Sequence, residues 1–222
     1  MDDELVLCAE TSQVWPDGGD RVQLRKLDSL FDLNQQFQSY FKRRGDVETD
    51  PTWQQLCSYL VIRCGREVMG YQRPNKGGDV RLQGAVSVGI GGHVNRTDAR
   101  PDANVSQVIL NGILRELDEE TQIAAVASPP DLKGPVWLIR DPTNDVGRVH
   151  TGVVAVLDVE HPLEEFSVTG CVCSWSTPQQ LFRHAEHIFG AGAVQRAVGC
   201  FQLSGRCKCL QRRDALRHIA PR

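Results

Sequence analysis

The sequence predicts a mixed α/β fold, a sheet with helices packed on it, and three observations carry that reading. Apolar patterns run in the order strands, helix, strands, helix, which favours a mixed sheet over an all-helical or all-strand architecture. Ile109, Ile113 and Leu117 fall four apart, which marks one apolar face of a helix. Hydrophobic residues at 41% and charged residues at 24% are ordinary globular values, and they rule out disorder or a fibrous repeat as a description of the whole chain.

Taken in order, Met1 to about Asp50 opens with a polar start and a turn at Pro16-Asp17-Gly18-Gly19. Leu27, Leu30, Phe31, Leu33, Phe37 and Phe41 follow at mostly helical intervals. The first fifty residues are therefore expected to form an extension bearing an amphipathic helix, docked on a larger domain at 51–203. Two apolar runs, Gln55 to Arg63 and Glu67 to Tyr71, flank Gly65-Arg66 and read as a hairpin. Ala85 to Ile90 is a third strand ending in Gly91-Gly92. After a loop rich in turn formers, Ser106 to Glu120 is the helix. Strands are predicted at Val136 to Arg140, at Val149 to Val159 and near Val168 to Trp175. Asn144-Asp145-Val146-Gly147 is most economically a turn between the first two. Thr177, with Pro178 at the first helical position, starts a final helix through Leu181, Phe182, Ala185 and Ile188. The tail at 204–222 is basic. It reads as a solvated helix or as a phosphate-binding patch.

The chain has 222 residues and a formal net charge of −3, with a sequence pI near 6.1. That balance gives no reason to expect nucleic acid or an anionic membrane as the main partner, so the partner must be read from a local site. No stretch approaches the ~18 uninterrupted apolar residues of a membrane span, and Met1-Asp2-Asp3-Glu4 is acidic where a secretory signal is basic, so a cytoplasmic protein is expected. In that compartment the eight cysteines are expected as thiols, with a zinc site at the C-x-C pairs Cys171/Cys173 and Cys207/Cys209 as the lesser reading.

The most informative stretch is Arg115-Glu116-Leu117-Asp118-Glu119-Glu120. Glu116 lies three and four residues before Glu119 and Glu120, so the three carboxylates crowd one side of the last helical turns. Like charges there repel and oppose the macrodipole, at a cost that a hard cation such as Mg²⁺ or Mn²⁺ would offset. A solvated acidic face is the plain alternative. Arg115 is placed to reach Glu119 one turn on, and Gly112, four residues before Glu116, leaves room for a ligand beside the acidic face.

Gly91-Gly92 after a strand, followed by this helix, resembles the Nudix hydrolase signature of Gly, five residues, Glu, seven residues, then R-E-U-x-E-E-x-G-U, with U aliphatic. Gly89-Ile90-Gly91-Gly92-His93-Val94-Asn95, with Arg81-Leu82 before it and Gly147-Arg148-Val149-His150-Thr151-Gly152 after it, is similar to a poorly characterised subgroup of predicted phosphoesterases. The resemblance runs from about Asp50 to Leu181. It implies an α/β/α sandwich and Mg²⁺-dependent (or Mn²⁺-dependent) hydrolysis of a diphosphate linked to another group, the partner being a nucleotide or another diphosphate-containing small molecule. Carried over by position, Glu116, Glu119 and Glu120 are the metal ligands, Arg115 holds the helix end, and Gly92 opens the signature.

This sequence departs from the pattern in two places. From Gly92 to Arg115 there are nine residues more than the signature allows, so its first Glu has no aligned counterpart and Asp98, six after Gly92, is a weak substitute. The signature's last Gly is Gln122, although Ile123 keeps the aliphatic position. Arg73, Lys76 and Arg81 are candidate phosphate contacts or exposed hairpin charges. His93, beside Gly91 and Gly92, is a ligand, a phosphate contact or a partner of the backbone. Trp137, Trp175 and Tyr71 stack a nucleobase or belong to the core. Glu164, Glu165, Glu186 and His187 are candidates for the catalytic base by region only. A non-catalytic Nudix-like module that senses a nucleotide or binds a protein is the competing function, and the first fifty residues are open to a homodimer contact.

Overall fold

The computed structural model describes residues 3–72, 86–121, 132, 134–160, 167–168, 171–177 and 179–180. Its strands are β1 (Leu5–Glu10), β2 (Gln23–Leu27), β3 (Ser39–Arg43), β4 (Trp53–Cys64), β5 (Glu67–Gln72), β6 (Val86–Ser87), β7 (Val136–Arg140), β8 (His150–Asp158), β9 (Ser167–Val168) and β10 (Cys171–Ser176). The helices are α1 (Thr11–Val14), α2 (Arg44–Val47), α3 (Val105–Glu120) and α4 (Asp145–Val149). The sheet is mixed, as expected, and runs β2-β7-β8-β4-β5-β10-β9, with β1 and β3 joined to it through β4 and with β6 on β5.

β4 organises the molecule. One edge pairs in parallel with the whole of β8, from Gln55↔His150 to Arg63↔Asp158. The opposite edge is shared by three segments in turn. β1 covers its start, with Cys8↔Gln55, and β5 covers its end, with Arg63↔Val68. Between them runs the glycine loop, bridged at Cys57↔His93 and Leu60↔Ile90. The loop's other side is held by Leu7 N–H, which donates to the Val94 carbonyl at 2.7 Å.

α3 packs on the sheet through Val108, Ile109, Ile113 and Leu117, the face that the four-residue spacing predicts. These residues join Leu56, Leu60, Ile62, Leu138 and Val153 in one core. Asn104 caps the helix: its side chain accepts from Gln107 N–H while the Gln107 side chain accepts from Asn104 N–H, so two otherwise orphaned donors are satisfied. Thr177 and Gln180 form the same reciprocal pair at the expected start of the last helix, and the rest of that helix lies outside the described residues.

The amphipathic helix expected across residues 27–41 is not there. Its apolar positions are divided between β2, a 3₁₀ turn at Leu30–Gln35, the loop after it and β3. Leu27, Leu30, Leu33 and Phe37 do reach the core and Phe41 packs against it, whereas Phe31 is exposed, so the pattern identifies most of the buried side chains. Its period misleads because the chain turns between successive contacts. The turn expected at residues 144–147 is instead the capped start of α4, with Asn144 accepting from Gly147 N–H at 2.8 Å. Trp137 and Tyr71 are buried and Trp175 packs against the core, so all three serve packing. Cys8, Cys57, Cys64 and Cys173 carry thiols.

A polar chain ties α1 to β4 and β8 in the interior. Trp15 Nε1–H donates to Thr151 Oγ1 at 2.9 Å, and Thr151 donates onward to Gln54 Oε1 at 2.9 Å. Gln54 Nε2 donates to Thr11 Oγ1 and to the Arg148 carbonyl. Gln54 and Thr151 are both fully buried. Thr151→Val keeps the shape but removes an acceptor from Trp15 and a donor from Gln54, so we expect a loss of about 1–3 kcal/mol in urea unfolding. A change below about 0.5 kcal/mol would mean that these groups find other partners.

Candidate functional site

Two glycines bring the loop against β4 and α3. A Cβ on Gly91 would lie 1.9 Å from the Ser58 carbonyl oxygen of β4, a backbone atom with nowhere to go. On Gly92 it would lie 2.5 Å from Glu116 Oε1, so the bare backbone is what lets this carboxylate lie over the loop. Gly92 in turn accepts from Ser58 N–H at 2.9 Å.

Arg115 ties the loop to the helix. Its Nε and Nη2 donate to the two oxygens of Asp98 at 2.8 and 3.1 Å. Nη1 donates to Glu116 at 2.8 Å and to Glu119 at 3.0 Å, and Nη2 also donates to the His93 carbonyl at 2.9 Å. The Asp98 side chain is only 2% exposed and also accepts from Asn95 N–H at 2.9 Å, which closes a 3₁₀ turn at Arg96–Asp98. Asp98, discounted in the sequence as a weak substitute, is thus the main partner of Arg115. The count of six residues from Gly92 already pointed to it, and the extra chain before Arg115 hid it. Gly112 leaves no room for a ligand: Val94 and Asp98 pack against it, and a Cβ there would meet both at 3.2 Å.

Burial raises the Glu116 carboxyl above the usual carboxylate range. Hydrogen bonding and the charge of Arg115 oppose that rise, while Glu119 and Asp98 add to it. The Arg115 guanidinium is held more firmly charged than usual, chiefly by its hydrogen bond to Asp98. Among the described residues, one guanidinium therefore serves three carboxylates, two of them in the last turns of α3. That donor set suits a hard divalent cation. Glu116 and Glu119 stand together on Arg115 Nη1. Glu120 is partly buried at the last residue of α3. The three acids do not converge on one point, however: among the described residues, the one group of three ligand atoms lying within 4.8 Å of one another is Cys57, His93 and His150.

That second cluster was not foreseen. His93 Nε2 lies 3.0 Å from His150 Nε2, and the Cys57 thiol completes the group. Nothing in the spacing of residues 57, 93 and 150 announces it, because only the pairing of β4 with β8 and with the glycine loop brings the three together. Arg73, Lys76, Arg81, Glu164, Glu165, Glu186, His187, the Cys207/Cys209 pair and the basic tail lie outside the described residues.

No protein-family model matches the sequence. Protein YmaB of Bacillus subtilis (strain 168) is 38% identical over 120 residues, covering 53% of this chain and 55% of YmaB, so the match spans about half the length of that relative. The crystal structure of Tm1382, provisionally assigned as a Nudix hydrolase, superposes with a TM-score of 0.66 at 24% identity, covering 90% of this chain and all of that one. The mixed sheet built on β4 with helices packed on it thus shares its architecture with that protein, and the chain has the Nudix hydrolase fold.

Proposed function

We propose that the protein is a metal-dependent hydrolase of the Nudix type that cleaves the diphosphate linkage of a nucleoside diphosphate derivative in the cytoplasm. The observation that carries this reading is the Arg115 hub, which sets Glu116 over Gly92 and Glu119 beside it at the end of α3. Glu116, Glu119 and Glu120 would hold Mg²⁺ or Mn²⁺, and such an ion, when bound, supplies charge neutralisation and polarisation of the phosphoryl oxygens. The chain's own contribution is orientation. Arg115 fixes two carboxylates through one nitrogen, and its tie to Asp98 keeps that nitrogen from swinging toward solvent. The side-chain-free backbone at Gly91 and Gly92 keeps the loop flat against β4, and Arg73 and Arg81 are the candidate phosphate contacts.

A binding module that senses a nucleotide without hydrolysing it is the second reading, favoured by the incomplete convergence of the three acids. Incubation with Mg²⁺ and a panel of nucleotide sugars, dinucleoside polyphosphates and deoxynucleoside triphosphates separates the two. We expect release of monophosphate or phosphate from at least one of them. Tight nucleotide binding without turnover across the panel would replace the hydrolase with the sensor.

A further inference from the structure

We infer that Cys57, His93 and His150 form a binding site for a borderline-soft divalent cation of the zinc class, separate from the glutamates of α3. The ligand atoms of the three side chains lie within 4.8 Å of one another. Two imidazole nitrogens at ordinary Zn–N lengths of about 2.0–2.1 Å and tetrahedral angles lie about 3.3 Å apart. His93 Nε2 and His150 Nε2 stand at 3.0 Å, so a shift of a few tenths of an ångström admits an ion between them. A thiolate with two imidazoles is a donor set that selects zinc-like ions over Mg²⁺.

The surroundings prepare these atoms as ligands. His150 Nδ1 lies 2.6 Å from the Val146 carbonyl, which can only accept, so Nδ1 carries the hydrogen and the Nε2 lone pair points at His93. Val146 belongs to α4, whose capped first turn holds that carbonyl in place. All three ligands are mounted on paired backbone. Cys57 and His93 face each other across the bridge between β4 and the glycine loop, and His150 opens β8 in register with Gln55. Arg115 grips the His93 carbonyl at 2.9 Å. A site built on ordered strands needs little reorganisation to load.

Burial, reinforced by His150, pushes the His93 imidazole down to about 3, so it is a neutral donor at neutral pH. Burial pushes the Cys57 thiol up to about 12, so loading the site releases its proton to solvent as the Sγ–metal bond forms. The charge of Glu116 reaches Cys57 as well, which places the cation within electrostatic range of the acidic end of α3. Three protein ligands leave the fourth tetrahedral position to water or to a substrate oxygen. Without a metal, the same geometry is a hydrogen bond between two neutral imidazoles, and the experiment must separate these cases.

Cobalt(II), which replaces zinc and is coloured, is the probe. Titrated into the 222-residue chain, it should give a thiolate-to-cobalt charge-transfer band and tetrahedral visible bands at one equivalent, and zinc should displace it. Cys57→Ser should abolish the charge-transfer band, and His150→Ala should weaken cobalt binding by more than the ~10–100-fold that an outer-shell change costs. If Cys57→Ser does not fold, judged by circular dichroism, Cys57→Ala takes its place. Glu120→Gln should keep the band, which makes the test independent of the hydrolase reading. Absence of a charge-transfer band in the wild type overturns the inference. A band of full strength in the Cys57 variants also overturns it, because it puts the metal on other cysteines.

Discussion

Arg115→Ala is expected to destabilise the protein by about 3–5 kcal/mol, the usual consequence of removing one partner from a buried ion pair. Asp98 is the reason. Its side chain is 2% exposed and receives two of the guanidinium's donors, and without Arg115 its charge stays in the interior with, among the described residues, only the Asn95 N–H for company. The variant also frees the His93 carbonyl, Glu116 and Glu119 from their common anchor, so activity should fall further than stability alone explains. Arg115→Lys should recover little of either loss, because a single ammonium cannot reproduce a fork that spans both oxygens of Asp98. Urea unfolding midpoints and kcat/KM for the two variants check this. A loss below about 1 kcal/mol for Arg115→Ala would show that Asp98 is solvated in the folded protein.

Glu116→Gln should separate function from stability. If Glu116 is a metal ligand, its loss removes about 3–4 kcal/mol of transition-state stabilisation, roughly 10²–10³-fold in kcat/KM. The metal-free variant should be no less stable than the wild type at neutral pH. The sign follows from linkage. Burial raises the folded-state carboxyl above its unfolded value, so the wild type is favoured while this group is protonated, below the ordinary glutamate range. That advantage is lost as pH rises through the folded-state value and stays lost above it. The stability of wild type relative to Glu116→Gln should therefore improve on acidification, in chelator, as read by thermal unfolding. A Gln variant that is clearly less stable at neutral pH would mean that the bond to Arg115 outweighs burial.

How far these features could be read in the sequence depended on the range of the interaction behind each. α3 was legible because its apolar face repeats within sixteen residues; the Asn104 cap that starts it at Val105 was not read. The β4–β5 hairpin was legible because Gly65 marks the break between two apolar runs, and it does adopt a positive φ of 58° there. The N-terminal region misled because Leu27, Leu30, Leu33 and Phe37 obey a helical count while lying on a strand, a 3₁₀ turn and the loop after it. Burial was right for these four, though not for the exposed Phe31, and the period was wrong. In the candidate site, Arg115 and the glutamates stand in one short motif and could be read directly. The tie from Asp98 to Arg115 crosses an insertion, and the Cys57, His93 and His150 cluster depends on strand pairing between distant parts of the chain, which no local spacing encodes.

The parallel pairing of β4 with β8 also bears on biosynthesis. From Gln55 to Arg63, each residue of β4 finds its mate 95 positions later, as in Leu60 with Ala155. At ribosomal rates of ~5–20 residues per second, the emerging strand waits roughly 5–20 seconds for that mate. During the wait one flank presents unsatisfied amides and carbonyls, the kind of surface on which nascent chains stick to one another. β1 and β5 can shelter only the opposite flank, so slow translation or a trigger-type chaperone acting before residue 158 leaves the ribosome should affect yield more than any later event.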